Sequence, residues 1–404
     1  MKRKPLDGLK VADFSWVGVG PVTVKYLADH GATVIHVESQ TRVETLRRAS
    51  PFKDNQPGLN RSGFFANFNT NKYGMSLNLN LSQAKVVVDR LIRWCDVLAE
   101  SFTPGTTRRW GLDYESAHKL NARIVYFSTC QFGQTGPYRR QPGFGIQLAS
   151  LSGFTEITGW PDLPPAGPYG AYTDFINPRL GAAAILAALD YRDRTGKGQY
   201  LDLSQFEGSC QFLSPAILDY TVNHRNAQRM GNRSPCAAPH GCYPCSGSER
   251  WCVIAVRTEA QWLALRKAMG DPEWAADKRF AKLADRKAHE DALDQLIGEW
   301  TATLTPDEVM TRLQAAGVPA GSVRTAEELF TDPQLQHRKH FKELAHTEIG
   351  PHHYDVLSFR SSAFDNTPVM PAPCLGEHNE FAYKELLGFS DEEVAEFVVK
   401  GLLD

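Results

Sequence analysis

One carboxylate stands out for chemistry. Asp174 lies in Tyr172-Thr173-Asp174-Phe175-Ile176-Asn177-Pro178, just ahead of a helical run through Gly181-Ala182-Ala183-Ala184. An Asp at such a place is most simply an N-cap, accepting from the unpaired N–H groups of the helix. It also suits a nucleophile, because the positive end of a helix favours the ionised form, lowers its pKa and keeps it charged where water is excluded. Such a carboxylate can attack an acyl carbonyl and be attacked in return, with no metal or redox cofactor. Backbone N–H groups of Phe132-Gly133 or His240-Gly241-Cys242 are candidates for stabilising the oxyanion.

Two segments could meet a second anion. Gly18-Val19-Gly20 falls between a strand and a helix, where backbone N–H groups suit a phosphate or pyrophosphate. Glu38 ends the next strand, as a ribose-binding acid would, but Thr23 occupies the third small-residue position and Pro21 the first helical turn. The nicotinamide fingerprint therefore fails. The second segment runs Glu100-Ser101-Phe102-Thr103-Pro104-Gly105-Thr106-Thr107-Arg108-Arg109-Trp110-Gly111, with Arg109 suited to a phosphate and Phe102 or Trp110 to an adenine face. Cys236, Cys242, Cys245 and Cys252, with His240, contain a single C-x-x-C and no second one at ribbon spacing, so no metal is expected.

The elements that must position these residues alternate strand and helix, the pattern of an α/β fold with a largely parallel sheet. Residues 9–14 read as a strand, 15–20 as a loop, Pro21 as the opening of a helix stopped at Gly31, and 33–37 as a second strand. A second pass gives a helix over 82–94, strands at 97–99 and 124–127, and a helix within 114–120. Loops over 133–143 and 159–170 precede a long helix expected from near Pro178 to about Arg192, and 200–203 reads as a further strand. Both anion-facing segments then lie beyond the carboxyl ends of strands, where open sheets bind ligands. Changes of texture divide the chain into a large domain over 1–222, a smaller one over 223–325 and a segment over 326–404 that returns to the first.

Bulk properties narrow the field. A formal net charge of −2 gives no electrostatic case for nucleic acid, and no apolar stretch is long enough to span a membrane. Met1-Lys2-Arg3-Lys4-Pro5 lacks the apolar core of a secretory signal, so a cytoplasmic location and reduced thiols are expected.

With these residues in place, the chain resembles the class III CoA-transferases, the group that includes formyl-CoA transferase and crotonobetainyl-CoA:carnitine CoA-transferase. The likeness rests on an ordered set: Leu9-Lys10-Val11-Ala12-Asp13-Phe14, Gly20-Pro21, Gly31-Ala32-Thr33-Val34-Ile35-His36-Val37-Glu38, Asn71-Lys72, Phe102-Thr103-Pro104-Gly105, Gly133-Gln134-Thr135-Gly136-Pro137-Tyr138, the Asp174 segment, Thr195-Gly196-Lys197-Gly198-Gln199, Gly317-Val318-Pro319-Ala320 and Leu375-Gly376-Glu377-His378.

The resemblance implies CoA transfer from an acyl-CoA to a carboxylic acid through an aspartyl-CoA intermediate on Asp174, with no cofactor beyond coenzyme A as substrate. It places Val17, Gly18 and Val19 against CoA and the reacting acyl group, Leu77 and Asn80 on the adenine side, Ser101, Phe102, Thr106, Arg109 and Trp110 along pantetheine and phosphates, and Cys130 opposite the pocket loop. Gly18 stands where the formyl enzyme has glutamine, Ser39 where a basic residue follows Glu38, and Asn80 where a lysine is usual. The implied architecture is a Rossmann-like large domain with a smaller α+β domain, two chains interlocking as rings, either as a homodimer or with a related subunit. Acyl-CoA racemases of the same fold are the alternative, but Phe144 occupies the place of their proton-transferring histidine. A noncatalytic CoA-binding subunit is a third reading. Trp16 and Tyr169-Gly170-Ala171-Tyr172 are similar to transferases that use succinyl-CoA to activate an aromatic dicarboxylic acid such as benzylsuccinate, with Arg179, or Arg139 and Arg140, as partners for a distal carboxylate.

Overall fold

Short apolar strings alternate with helices through the first half of the chain, and each string becomes a strand of one parallel sheet. The structure, a computed structural model, describes residues 3–403. In order come β1 (Lys10–Phe14), α1 (Val19–Asp29), β2 (Thr33–Glu38), α2 (Gly63–Phe68), β3 (Tyr73–Ser76), α3 (Ala84–Trp94), β4 (Val97–Glu100), α4 (Tyr114–Leu120), β5 (Val125–Cys130), α5 (Gly145–Leu151), α6 (Phe154–Ile157), α7 (Tyr172–Thr195) and β6 (Gln199–Ser204). The strands lie in the order β3-β2-β1-β4-β5-β6, all parallel. The direction in which strands are added to the sheet reverses between β1 and β4, so the loops after these two strands wall a crevice at the carboxyl edge of the sheet.

Helices cover both faces. Val87, Val88 and Leu91 of α3 pack one face with Phe397 of the closing helix Asp391–Val399, while Val24 and Leu27 of α1 pack the other with Ile185 and Leu189 of α7. Strands buried on both sides read as near-continuous apolar runs, which is why β1, β2, β4 and β5 were legible.

The long helix departs from expectation. It begins at Tyr172, not near Pro178, and the proline is its seventh residue. Pro178 has no N–H to offer the Asp174 carbonyl four residues back, so α7 is loosened where Asp174 stands.

The described chain up to Thr155, Gly167–Ala227 and the part from Gln334 onward form one compact unit. Within it the returning segment closes the edge of the sheet: His378 Nδ1 accepts the Gly74 N–H at 3.1 Å and Asn379 Oδ1 the Ser76 N–H at 2.8 Å. Glu156–Ala166 and Gln228–Pro333 form the second unit, in which β7 (His240–Pro244), β8 (Trp251–Ala255) and β9 (Ala320–Ser322) make an antiparallel sheet beside Trp262, Phe280 and Leu293.

A buried ionic network lies at the carboxyl ends of β1 and β2. Asp13 accepts from Lys72 Nζ at 2.8 Å and pairs with His36 Nδ1 at 2.9 Å, while Glu38 takes Arg47 Nε and Nη2 at 2.7 and 2.6 Å. Glu44 completes the set, and all six side chains are withdrawn from solvent. Burial opposes each charge, but Lys72 and His36 hold Asp13 well below the usual carboxylate range, and Arg47 holds Glu38 down. Burial likewise opposes the His36 charge, yet Asp13 keeps that imidazole up at about 9. Glu44 differs, since burial pushes its carboxyl up against the pull of His36, and the set as a whole ranges three carboxyl groups against three basic side chains. Lys72→Met leaves Asp13 buried without its lysine and should destabilise the fold by about 3–5 kcal/mol, read as a lower midpoint in denaturant unfolding; an unchanged midpoint would contradict the network's role.

Candidate active site

Asp174 is the third residue of α7, and the N-cap position belongs to Ala171. Its side chain lines a cavity of about 210 Å³ with Trp16, Val17, Gly18 and Val19 after β1, Ser101, Phe102 and Thr103 after β4, Cys130, Gln131 and Phe132 after β5, and Phe144 and Gly145 at the start of α5. This is the crevice that the strand order defines.

Two glycines flank the carboxylate. A Cβ at Gly18 would stand 2.7 Å from Asp174 Oδ2, and one at Gly145 would stand 2.6 Å from Oδ1. Burial pushes the carboxyl up to about 6, and no charge or hydrogen bond among the described residues offsets it. The expected lowering by the helix end is therefore overturned: desolvation outweighs whatever the helix end contributes. At pH 7 roughly nine in ten copies remain ionised, so the group is charged, unpaired and poorly hydrated.

Its neighbours are poor rivals as nucleophiles. Ser101 Oγ accepts the Trp16 N–H at 2.7 Å and donates to the Trp16 carbonyl at 3.0 Å. Burial pushes the Cys130 thiol up to about 12, with the Asp202 and Glu100 charges adding to it, so it stays protonated near neutrality. The cavity lining includes no histidine, and Phe144 occupies one wall.

The other predicted residues fall in two adjoining recesses. Thr106 and Arg109 line an open hollow of about 420 Å³ with Thr103 and Arg140, while Leu77, Asn80 and Trp110 line a closed cleft of about 30 Å³ with Phe102 and Trp16. Thr103 belongs to both the Asp174 cavity and the Arg109 hollow, and Phe102 to both the cavity and the cleft. The three recesses therefore share walls. Leu77 is part of the core, at 1% exposure, and supplies wall rather than contact. Trp16, Phe102 and Trp110 stack edge to face, with centroids 5.4 and 5.3 Å apart.

Several placements revise the sequence reading. In the first loop Gly18 faces Asp174, the anion that a Cβ there would meet. Of the three arginines offered for a distal carboxylate, only Arg139 lines the Asp174 cavity; Arg140 joins Arg109, and Arg179 bonds the Phe175 carbonyl on its own helix. The Gly133 N–H bonds the Cys130 carbonyl at 3.5 Å, Phe132 lines the Asp174 cavity, and His240-Gly241-Cys242 lies in β7 of the smaller unit.

Two residues were missed. Arg42 lines the cleft beside Ser39 and Asn80, its guanidinium 5.6 Å from the Trp16 ring, and supplies a cation near the positions where the resemblance lost two. Its signal in the sequence was only a basic residue three places after Ser39. Gln131 lines the Asp174 cavity with both Nε2 and Oε1 buried and unpartnered, an arrangement no spacing foretells.

Among the described residues, the cysteines of the smaller unit do not converge on an ion site, whereas His36, Glu38 and Glu44 bring donor atoms within 4.8 Å of one another. Arg47 occupies both Glu38 oxygens, and the network is already charge-balanced, so this donor set is an ionic bridge rather than a metal cage.

Residues 6–379 match the family described as CoA-transferase family III. The chain belongs to that family. Similar proteins include the succinyl-CoA–D-citramalate CoA-transferase of Chloroflexus aurantiacus, 32% identical over 400 residues that cover 99% of this chain and 98% of the relative. The succinate–glutarate CoA-transferase of Agrobacterium fabrum is 32% identical over 391 residues, covering 95% and 96%. The crystal structure of a CAIB/BAIF family protein from Brucella suis has a TM-score of 0.87 at 30% identity over 95% of this chain and 100% of that one. This protein is accordingly a CoA-transferase, with a mixed α/β fold built on a parallel six-stranded sheet.

The transferase's glycine walls yield a test. Gly18 has φ −91° and ψ −78°, open to alanine, so Gly18→Ala should fold normally while its methyl displaces the Asp174 carboxylate. A fall in kcat of at least about tenfold is expected with thermal stability little changed, and parent-like kcat would contradict the close packing.

Proposed function

We propose that this transferase takes CoA from succinyl-CoA and delivers it to a small dicarboxylic acid through a thioester formed on Asp174. The observation that carries the reading is the Asp174 carboxylate itself, ionised at neutral pH yet unpaired, between two glycines in the crevice. A carboxylate stripped of hydrogen bonds is a better nucleophile than a solvated one, and a site poor in water spares acyl intermediates from hydrolysis.

Each step exchanges one acyl bond. An Asp174 oxygen attacks the succinyl-CoA carbonyl, the carbon–sulfur bond breaks, and CoA thiolate leaves a mixed anhydride. The thiolate attacks the aspartyl carbonyl, releasing succinate and forming aspartyl-CoA. An acceptor carboxylate attacks that thioester to give a second anhydride and free thiolate, which then attacks the acceptor's carbonyl and restores Asp174. No proton, electron or water is consumed. The unpartnered Gln131 amide lines the same cavity and can donate to an acyl oxygen, and Arg109 with Arg140 suits the CoA phosphates.

The relatives named above use succinyl-CoA or succinate with D-citramalate or glutarate, acids with two carboxylates on short chains. A cavity of about 210 Å³ with Arg139 on its wall suits the same class, one carboxylate reacting while the guanidinium holds the other. Benzylsuccinate is the bulkier competitor.

Asp174→Asn should abolish exchange, since an amide cannot form the anhydride, and mass spectrometry after incubation with succinyl-CoA should find the CoA adduct on parent protein alone; turnover by the variant would defeat the reading. The parent's activity should fall about tenfold between pH 7 and pH 5 as a carboxyl with pKa near 6 takes up its proton. Because the folded pKa is raised above the ordinary 3.8, ionised Asp174 costs stability above that pH and the cost fades as pH drops through about 6. Asp174→Asn should therefore gain about 1–3 kcal/mol at pH 7. In a panel of acceptors, Arg139→Ala should raise the KM of short dicarboxylates at least about tenfold and leave monocarboxylates alone; equal losses for both, or benzylsuccinate as the preferred acceptor, would reject the assigned class.

A further inference from the structure

The loop beside Asp174 is held one peptide at a time. The Ser15 N–H bonds Asp13 Oδ1 at 3.0 Å, the Trp16 N–H bonds Ser101 Oγ at 2.7 Å, and the Val17 N–H bonds Glu44 Oε1 at 2.7 Å. The third contact differs in kind. Val17 has φ +67°, the left-handed region, which a β-branched residue strongly disfavours. Gly18 follows immediately, with its Cα within a bond length of the space beside Asp174 Oδ2. Without a fixed acceptor for its N–H, Val17 would relax to negative φ and carry Gly18 off the carboxylate.

Glu44 is an unusual choice for such an acceptor. It is fully buried at the N-cap of a single turn, Thr45–Arg48, and its second oxygen has no hydrogen-bond partner, lying 3.6 Å from His36 Nε2. A neutral side chain could accept one N–H at less cost in desolvation. The carboxyl group is tied instead, through His36 and Asp13, to the network under β1 and β2, while what Val17 needs from it is an oxygen at this distance.

We propose that Glu44 is a positioning residue for the transfer reaction: by accepting the Val17 N–H it keeps Val17 left-handed and so sets Gly18 against the Asp174 carboxylate. The proposal rests on the reading of Asp174 as nucleophile. Glu44 touches no substrate in this arrangement and acts only through the loop.

The test shortens the side chain while keeping its charge. Glu44→Asp leaves the three carboxylates opposed to three cations but withdraws the oxygen from Val17 by about one carbon–carbon bond. We expect kcat to fall at least about tenfold, with the KM for succinyl-CoA within about threefold. Adding Val17→Gly, which adopts positive φ freely, should return most of the lost kcat in that background. A merely structural role would lower thermal stability and active fraction without this split or this rescue. Glu44→Gln, equal in length and still offering an oxygen, is the second variant, and its kcat should lie within about threefold of the parent. Parent-like kcat in Glu44→Asp, a loss that Val17→Gly does not relieve, or a tenfold loss in Glu44→Gln would each overturn the proposal. Turnover by Asp174→Asn would instead defeat the nucleophile reading, so the two failures are distinguishable.

Discussion

Three carboxyl groups and three basic side chains buried together beneath the carboxyl ends of β1 and β2 are the constraint on which this edge of the transferase is built. Asp13 and Lys72 join β1 to the chain entering β3, and Lys72 also bonds the Pro21 carbonyl in the first turn of α1 at 3.0 Å. Arg47 joins β2 to the returning segment through the Pro373 carbonyl at 3.1 Å. Removing any one member exposes its partner to the full desolvation penalty, so the set behaves as a unit. The loop after β1 leaves this unit directly and reaches Asp174 within a few residues. Rigidity at the network is therefore rigidity beside Asp174, the nucleophile proposed above.

Asp174 shows the opposite arrangement. Where Asp13 is met by two cations and held well down, Asp174 meets two glycines and is pushed up to about 6. The two aspartates lie at the same edge of one sheet, and environment alone separates a paired anion from an unpaired one. The glycines serve this difference directly, since a side chain at either place would collide with the Asp174 carboxylate. The same burial acts differently on neighbouring Cys130, because desolvation keeps a thiol protonated and leaves a carboxyl still mostly ionised at neutral pH.

The sheet was legible because β1, β2, β4 and β5 are apolar strings bounded by helices, and their alternation has few topological solutions. β3 was not. Tyr73–Ser76 is four residues long with a glycine inside it, and its partners include side chains from three hundred residues away. The start of α7 was misplaced because a proline ordinarily marks a first turn, whereas here the helix runs through it. Asp174 was singled out by sequence as the candidate nucleophile, and the structure lines a cavity with it, but the sign of its pKa shift was not legible, since a helix end is visible in a string of letters and the lack of partners is not. Arg139 and Arg140, adjacent in sequence, open into different hollows, and Glu44 lies in a polar stretch with no periodicity to mark it as buried. Such features depend on which backbone passes nearby, and only the folded chain supplies that.

The side chains that close the border of the sheet have a further consequence. His378 and Asn379 stand in for a seventh strand, occupying the amides that β3 would otherwise present outward. A proteolytic cut that released the returning segment would bare those amides together with the apolar floor under Tyr383, whose hydroxyl bonds the Ser76 carbonyl at 2.8 Å. The remnant would have an adhesive margin able to recruit strands from other molecules, so clipping there would lead to clumping of the protein.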